Sequence, residues 1–150
     1  MSQFRVSAEH IPTLVTQAEI TRAGMENKLR ALPISWKRIK LDDHYFYAPV
    51  WPDCIKIIDH LKPKIPAYLV DKFGCENNAD WWKVEVARIF KINTFARVDG
   101  WVMISGQRKR HGWVWFYDAA SGLFYQLQGQ TGVIMDFDDG GYVPDEIVMG

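Results

Sequence analysis

The sequence predicts an α+β domain in which helices come first and an antiparallel sheet follows. Helix-forming segments punctuated by proline fill the first half, whereas segments rich in aromatic and β-branched residues follow Asn93. The length of 150 residues fits one ordinary domain that can bury a core of its own. We therefore expect a single domain over residues 1–150, with 1–40 as a helical N-terminal extension and 41–150 as the core.

The first elements are helical or short. Ser7 is placed to cap a helix start, and residues 17–32 carry good helix formers that end before Pro33. Residues 36–41 and 45–47 are short extended pieces. These segments make up the predicted helical extension and its link to the core.

Two stronger helices follow. Trp51–Pro52–Asp53 opens the second predicted helix, in which Cys54, Ile57, Ile58 and Leu61 form an apolar stripe, so Cys54 is expected to pack as a small hydrophobe. The third begins at Gly74–Cys75 and runs to about Lys91, with an apolar face long enough for a central core helix. Cys75 therefore falls in the first turn of the helix expected to lie on the sheet.

The second half reads as a meander of strands. Strand-like segments cover 95–105, 112–117, 123–127, 132–137 and 142–149. Residues 118–122 form a hairpin turn with Gly122 at its end. Pro144 makes the last strand an expected edge strand, because proline cannot donate to a ladder.

Charge and composition exclude several classes of protein. Lys plus Arg and Asp plus Glu both number 18, so the zero net charge argues against a nucleic-acid binder and against attachment to anionic membranes. No apolar run approaches the length of a membrane helix, and the start lacks a signal-peptide pattern. We expect a cytoplasmic protein, or one of the host cytoplasm if phage-encoded, with two free thiols and no cofactor or metal.

Aromatic residues are unusually frequent, at 14% of the chain. They fit a core rich in rings, and they also fit an aromatic groove for a sugar or an extended peptide. The composition leaves both interpretations open.

A cysteine at a helix N-terminus is a candidate nucleophile. Unpaired backbone N–H groups and the helix dipole stabilise a thiolate there and lower its pKa. Cys75 has this position, and His111 starts a strand of the sheet on which the Cys75 helix should pack. A hairpin centred on Ala120 pairs His111 with residue 129, and one step of register gives Gln128 or Gln130 as the group that orients the imidazole.

The order of these motifs resembles the papain-like and transglutaminase-like cysteine proteins. It is most similar to the protease-domain family of the mushroom lectin Marasmius oreades agglutinin and its phage and bacterial single-domain relatives. The stretches that carry the resemblance are 72–79 around Cys75, His111–Gly112–Trp113 and Gln128–Gly129–Gln130–Thr131–Gly132. It covers roughly residues 43–135 and implies a papain-like fold, with Gln128 as the third residue beside Cys75 and His111.

Two departures from the family pattern bear on chemistry. The acidic pair that follows the cysteine, part of a calcium-dependent site in the family, is Glu76–Asn77 here, which leaves one carboxylate where the family has two. Gln128 stands where the family has a Glu, and a neutral amide orients an imidazole without stabilising its charge. These departures make a catalytically degenerate copy a serious alternative.

The resulting prediction is a cysteine hydrolase, a peptidase or amidase, with Cys75 as nucleophile, His111 as base and acid, and Gln128 as orienter. Acyl transfer to an amine would use the same residues. The alternative is a degenerate papain-like binding module, such as a phage-encoded inhibitor of a host protein. The expected partner is a peptide or protein.

Four residues are the candidate binding set. The basic cluster Arg108–Lys109–Arg110 favours an acidic substrate or partner, and Trp113 follows it on the same strand. A catalytic Cys75 is expected to react with iodoacetamide well below the ordinary thiol pKa, and Cys54 is not.

Overall fold

The computed structural model describes residues 10–15, 17–69, 74–137 and 141–150. Ser7 and residues 138–140, between the last two predicted strands, lie outside these ranges. The helices are α1 (Arg22–Arg30), α2 (Trp51–Leu61) and α3 (Cys75–Phe90), with a 3₁₀ turn over Lys62–Lys64. The strands are β1 (Gln17–Thr21), β2 (Arg38–Leu41), β3 (Tyr45–Pro49), β4 (Phe95–Ile104), β5 (Gln107–Asp118), β6 (Leu123–Leu127), β7 (Ile134–Met135) and β8 (Val143–Met149).

The main sheet has six strands in the order β2-β8-β4-β5-β6-β7 within the described ranges. Its pairs are antiparallel except β2 with β8, which run parallel. Strands β1 and β3 form a separate antiparallel pair. The α+β class is confirmed, whereas the sheet is mixed because a strand from the first half joins its edge.

Strand β5 is covered on both faces. Residues 113–117 are all buried, and they alternate between two apolar clusters. Val114 and Phe116 pack with α2 and α3, while Trp113, Trp115 and Tyr117 pack with α1 and β3. A continuous apolar run is typical of a strand that has no solvent face.

Helix α3 lies across β4 and β5 and places the start of its first turn at the sheet. Its stripe of Ala79, Trp82, Val86 and Phe90 is buried in the cluster with Val114 and Phe116. The indole N–H of Trp82 donates to the carbonyl of Gly129 at 2.8 Å, which satisfies the polar atom of a fully buried ring. The prediction that Cys75 begins a helix packed on the sheet is confirmed.

The predicted helix over 17–32 is only partly correct. Residues 17–21 pair with β3 instead, and the helix begins after Thr21, whose hydroxyl accepts from the Gly24 N–H at 3.1 Å. Strand pairing prevails over helix propensity in these residues because it packs Ile20 against the apolar cluster that contains Phe46. The described part of residues 1–40 thus supplies strands as well as a helix.

Strand β8 is interior rather than the expected edge strand. It lies between β2 and β4, and Pro144 is tolerated because the β4–β8 register shifts between Asp99 and Gly100. A Cβ at Gly100 would overlap the carbonyl oxygen of Val143, so the bulge requires glycine at this close approach. No helix within the described ranges is both long and apolar enough to cross a bilayer. The compartment and the single-domain boundaries stay predictions.

We expect Trp82→Ala to destabilise the fold by about 3–5 kcal/mol, because it empties a buried ring site and leaves the Gly129 carbonyl without its donor. Val84→Ala on the exposed side of the same helix should change the free energy of unfolding by less than about 0.5 kcal/mol. Urea unfolding of both variants measures the difference. Equal losses would contradict the central position of α3.

Candidate functional site

The N-terminus of α3 meets the sheet beside Gly112 of β5. The Gly112 N–H donates to the Cys75 Sγ across 3.4 Å. A Cβ at Gly112 would lie 3.1 Å from the Glu76 Cα, tighter than most Cβ contacts, so a side chain here would push the helix start away from the strand by a few tenths of an ångström. The half-buried thiol of Cys75 therefore lies against the backbone of the strand that carries His111.

Burial is the largest influence on the pKa of this thiol. Desolvation raises the pKa of Cys75 above its usual range, and the nearby Glu76 carboxylate raises it further. The Gly112 N–H acts in the opposite direction but does not reverse the balance. The expectation of a lowered thiol pKa is therefore wrong, because sequence position gave the helix dipole but not the burial.

His111 is held in a ring of aromatic and amide groups. Its Nε2 lies 3.2 Å from the Gln128 Oε1, its ring stacks on Trp113 at 5.9 Å, and Tyr142 lies 6.0 Å away. Burial lowers the pKa of His111, and the Gln128 contact only partly offsets this. The imidazole is therefore neutral at pH 7.

Gln128 links His111 to Tyr142. Its Nε2 donates to the Tyr142 hydroxyl at 3.3 Å, so its Oε1 is the atom that accepts from the His111 Nε2–H. The neutral imidazole then carries its proton on Nε2 and leaves Nδ1 as an acceptor. Gln128 has this position because the β5–β6 ladder ends at Leu127, opposite Val114, and the chain turns over 128–132.

The structure brings Gln128 to His111 and Cys75 to Gly112. Among the hydrogen bonds of the described residues, none joins the Cys75 Sγ to the His111 ring. The joint role of Cys75, His111 and Gln128 in chemistry stays a prediction.

A pocket of about 520 Å³ lies on the other side of Tyr142. It combines aromatic rings, an amide and charged side chains from four separate parts of the chain. The lining residues that bear on binding are Lys37, Trp101, Arg108, Gln126, Phe137, Tyr142 and Asp145. A concave site with apolar walls and a few convergent polar groups is the usual form of a small-ligand site.

The amide of Gln126 fixes one wall of this pocket. Its Oε1 accepts from the indole N–H groups of Trp113 at 2.8 Å and Trp115 at 3.1 Å, and its Nε2 donates to the Asp136 carbonyl at 3.0 Å. Because each of these polar atoms is partnered, the wall is rigid.

The predicted basic cluster divides between different roles. Arg108 lines the pocket, with its Cζ 4.3 Å from the centre of the Trp101 ring. Arg110 forms two hydrogen bonds to Asp145, at 2.7 and 2.6 Å. Lys109 is exposed, and Trp113 is fully buried beneath His111.

Asp145 balances the charge on this side of the pocket. The Arg110 guanidinium holds the pKa of the Asp145 carboxyl below its usual range, and Lys37 contributes from 3.7 Å. The carboxylate therefore stays charged and satisfies two of the three nearby cations.

The sequence did not reveal most of this pocket. Lys37 and Tyr142 come from segments about a hundred residues apart that only the tertiary fold brings together. Trp101 carried a usable signal, since the high aromatic content had suggested a groove for a sugar. Within the described residues, no group of three or more His, Cys, Asp or Glu is placed to hold a metal ion.

Comparison with known proteins gives a fold but no family. No protein-family model matches the chain, and no curated protein does. The solved structure described as the PSL1a–E64 complex matches 87% of this chain with a TM-score of 0.67 and 18% identity. The structure of Polyporus squamosus lectin bound to the human-type influenza-binding epitope Neu5Acα2-6Galβ1-4GlcNAc matches 87% with a TM-score of 0.64 and 16% identity. This chain spans about half of each, 50% and 49%, so the likeness concerns the fold of that half.

These findings correct the resemblance stated from the sequence. The second matching structure is described as a lectin, neither is described as a hydrolase or a phage protein, and no peptidase family matches. The identification as a papain-like cysteine hydrolase is therefore wrong, and so is the phage origin. The papain-like fold is not confirmed, and the alternative of a binding module is closer to these findings. The physical reason is that short motifs around Cys75, His111 and Gln128 specify an order along the chain, not the packing that would pair thiol and imidazole.

Thiol reactivity tests the state of Cys75. With Cys54→Ala leaving Cys75 as the one thiol, we expect alkylation by iodoacetamide to be slow at pH 7 and to keep rising above the ordinary thiol pKa of about 8.5, because burial favours the neutral thiol. Mass spectrometry gives the rate at each pH. The Cys75→Ala protein should react still more slowly, because Cys54 is fully buried. A half-maximal rate for Cys75 below about pH 8 would contradict this order.

Gln128→Glu should raise the pKa of His111 by about one pH unit or more, because a carboxylate at the Oε1 position stabilises the imidazolium. Titration of the His111 ring signals by NMR measures the change. Gln130→Glu adds the same charge two residues along the chain and should shift His111 much less. Equal shifts in the two variants would contradict the contact between Gln128 and His111.

Proposed function

We propose that this chain is a carbohydrate-binding module that takes its sugar in the pocket beside Tyr142. The observation that carries the proposal is the lining of that pocket, in which the rings of Trp101, Phe137 and Tyr142 occur together with charged side chains. Sugars present apolar C–H faces and hydroxyl edges together. The rings of the pocket complement the faces, and its charged side chains complement the hydroxyls. The pocket volume of about 520 Å³ suits a ligand of one to three sugar rings.

Rigidity supports the same conclusion. Tyr142 packs edge-on against Trp113 at 5.1 Å, and its hydroxyl is held by Gln128. Phe137 packs on Trp115 at 4.7 Å. Rings that are already fixed lose little conformational entropy when a ligand is bound, so more of the contact energy remains for binding.

The likeness to a lectin structure supports this class of ligand over others. Polyporus squamosus lectin is described with a sialylated trisaccharide bound, and this chain shares a fold with about half of that protein. In this proposal Gln128 positions the Tyr142 ring of the pocket through its hydrogen bond to the hydroxyl. Cys75 and His111 lie with Gln128 behind that ring. A peptide or protein partner for the basic cluster stays a prediction.

Binding of Neu5Acα2-6Galβ1-4GlcNAc, measured by calorimetry and by NMR shifts of the indole signals, tests the proposal. We expect saturable binding that perturbs Trp101, and Trp101→Ala should weaken it about tenfold or more, because the variant removes a ring of the pocket. Tyr68→Ala removes an exposed ring outside the pocket and should leave the affinity unchanged. No saturable binding of the sugar, or equal affinities for wild type and Trp101→Ala, would overturn the proposal.

A further inference from the structure

We infer that the ligand of this chain is an amphiphilic glycoside, with its sugar in the pocket beside Tyr142 and its apolar non-sugar group, the aglycone, in a second pocket beyond Phe137. The inference rests on the proposed function and names the part of the ligand that lies outside the sugar pocket. The two cavities share a wall and differ in chemical character.

The second pocket lies against strand β6 and has a volume of about 230 Å³. Its walls are mostly apolar, and among the described residues that line it only Asp136 is charged. The Leu123 side chain in this wall is 56% exposed, so apolar surface here faces water. An apolar group that covers this surface gains free energy from the water it displaces. The lining residues are Leu32, Leu123, Phe124, Tyr125, Asp136 and Phe137.

The second pocket is contiguous with the sugar pocket. Phe137 lines both cavities. Leu32 lines the second pocket and its neighbour Pro33 lines the first. Tyr125 and Gln126 divide in the same way, so the boundary between the cavities falls twice between consecutive residues. A ligand longer than the sugar pocket therefore reaches the second pocket along the Phe137 ring.

Trp115 supports this shared wall from beneath. Its ring centre lies 4.7 Å from that of Phe137 and 5.6 Å from that of Phe124. Trp115 is fully buried, and its indole N–H donates to the Gln126 Oε1 at 3.1 Å. The wall is therefore formed before a ligand arrives, and little ordering of side chains opposes binding across it.

The two pockets suit different parts of one ligand. Lys37, Arg108 and Asp145 give the first pocket charged groups that can bind hydroxyls. A sugar in the second pocket would leave most of its hydroxyls without partners, which costs binding free energy. An apolar aglycone loses no hydrogen bonds there. A glycoside whose sugar carries such a group matches the polarity of both cavities.

The size of the second pocket favours a group on the same ligand over the surface of another protein. A specific protein–protein interface involves about twenty or more residues on each side. Six residues line this pocket, and its volume is less than half of that of the sugar pocket. A short chain or a single ring attached to the sugar is the occupant that fits.

The experiment compares the methyl and hexyl glycosides of Neu5Acα2-6Galβ1-4GlcNAc by calorimetry, because the two differ only in the aglycone. Wild type should bind the hexyl glycoside about tenfold or more tightly, since its added methylenes leave water for the second pocket. The NMR signals of the Leu123 methyl groups should shift with the hexyl glycoside and not with the methyl glycoside. Equal affinities, or unmoved Leu123 signals, would overturn this inference while the proposed function stands. If neither glycoside binds, both fail.

Leu123→Gln removes apolar surface from an exposed position in the second pocket. It should weaken binding of the hexyl glycoside about threefold to tenfold and leave the methyl glycoside unchanged. Val84→Gln is the matched control, because Val84 is 55% exposed on helix α3 and lies outside the lining of both pockets. It should keep the full preference for the hexyl glycoside.

An equal loss in Val84→Gln, or no loss in Leu123→Gln, would overturn the position of the aglycone. Hexan-1-ol tests whether the apolar group needs the sugar, and it should bind much more weakly than the hexyl glycoside. Equal binding of hexan-1-ol would overturn the joint occupation of the two pockets by one ligand.

Discussion

The fold depends on burying strand β5 from both sides. Five consecutive residues, 113–117, have no solvent face, so each side of the sheet needs its own cover. Helices α2 and α3 cover one side, and α1 with β3 covers the other. Because both faces of β5 need cover, segments from the first half of the chain also pack closely against the sheet. Each cluster alone would leave half of these side chains in water.

So many buried rings create a second constraint, because indole N–H groups need acceptors. One amide, Gln126, accepts from Trp113 and Trp115 together, and the carbonyl of Gly129 accepts from Trp82. Strand β6 and the turn after it therefore satisfy polar atoms from both faces of the sheet. The same segment carries Gln128. Its contact with His111 therefore adjoins the hydrogen bonds that satisfy the buried indole groups.

The candidate pocket forms where this packed region ends. Beyond the bulge at Gly100 the sheet loses strand β8, and the β4–β5 hairpin continues alone with Arg108 on its outer rung. Aromatic side chains that would pack inward elsewhere line a cavity here. Asp145 pairs with Arg110 and Lys37 but not with Arg108, so the charge around the cavity is uneven. The zero net charge of the whole chain does not reveal this local difference.

The sequence by itself determined the elements that local pattern controls. The apolar stripe of α3, the hairpin turn before Leu123 and the first-turn position of Cys75 follow from periodicity and turn chemistry, which act over a few residues. Hairpin register alone allowed either Gln128 or Gln130 to contact His111. The contact falls to Gln128 because the β5–β6 ladder ends at the residue before it. Only the tertiary structure decided the interior place of β8, the raised pKa of Cys75 and the meeting of Lys37 with Tyr142. The physical reason is that burial and long-range pairing are properties of the assembled chain, and no window of its sequence contains them.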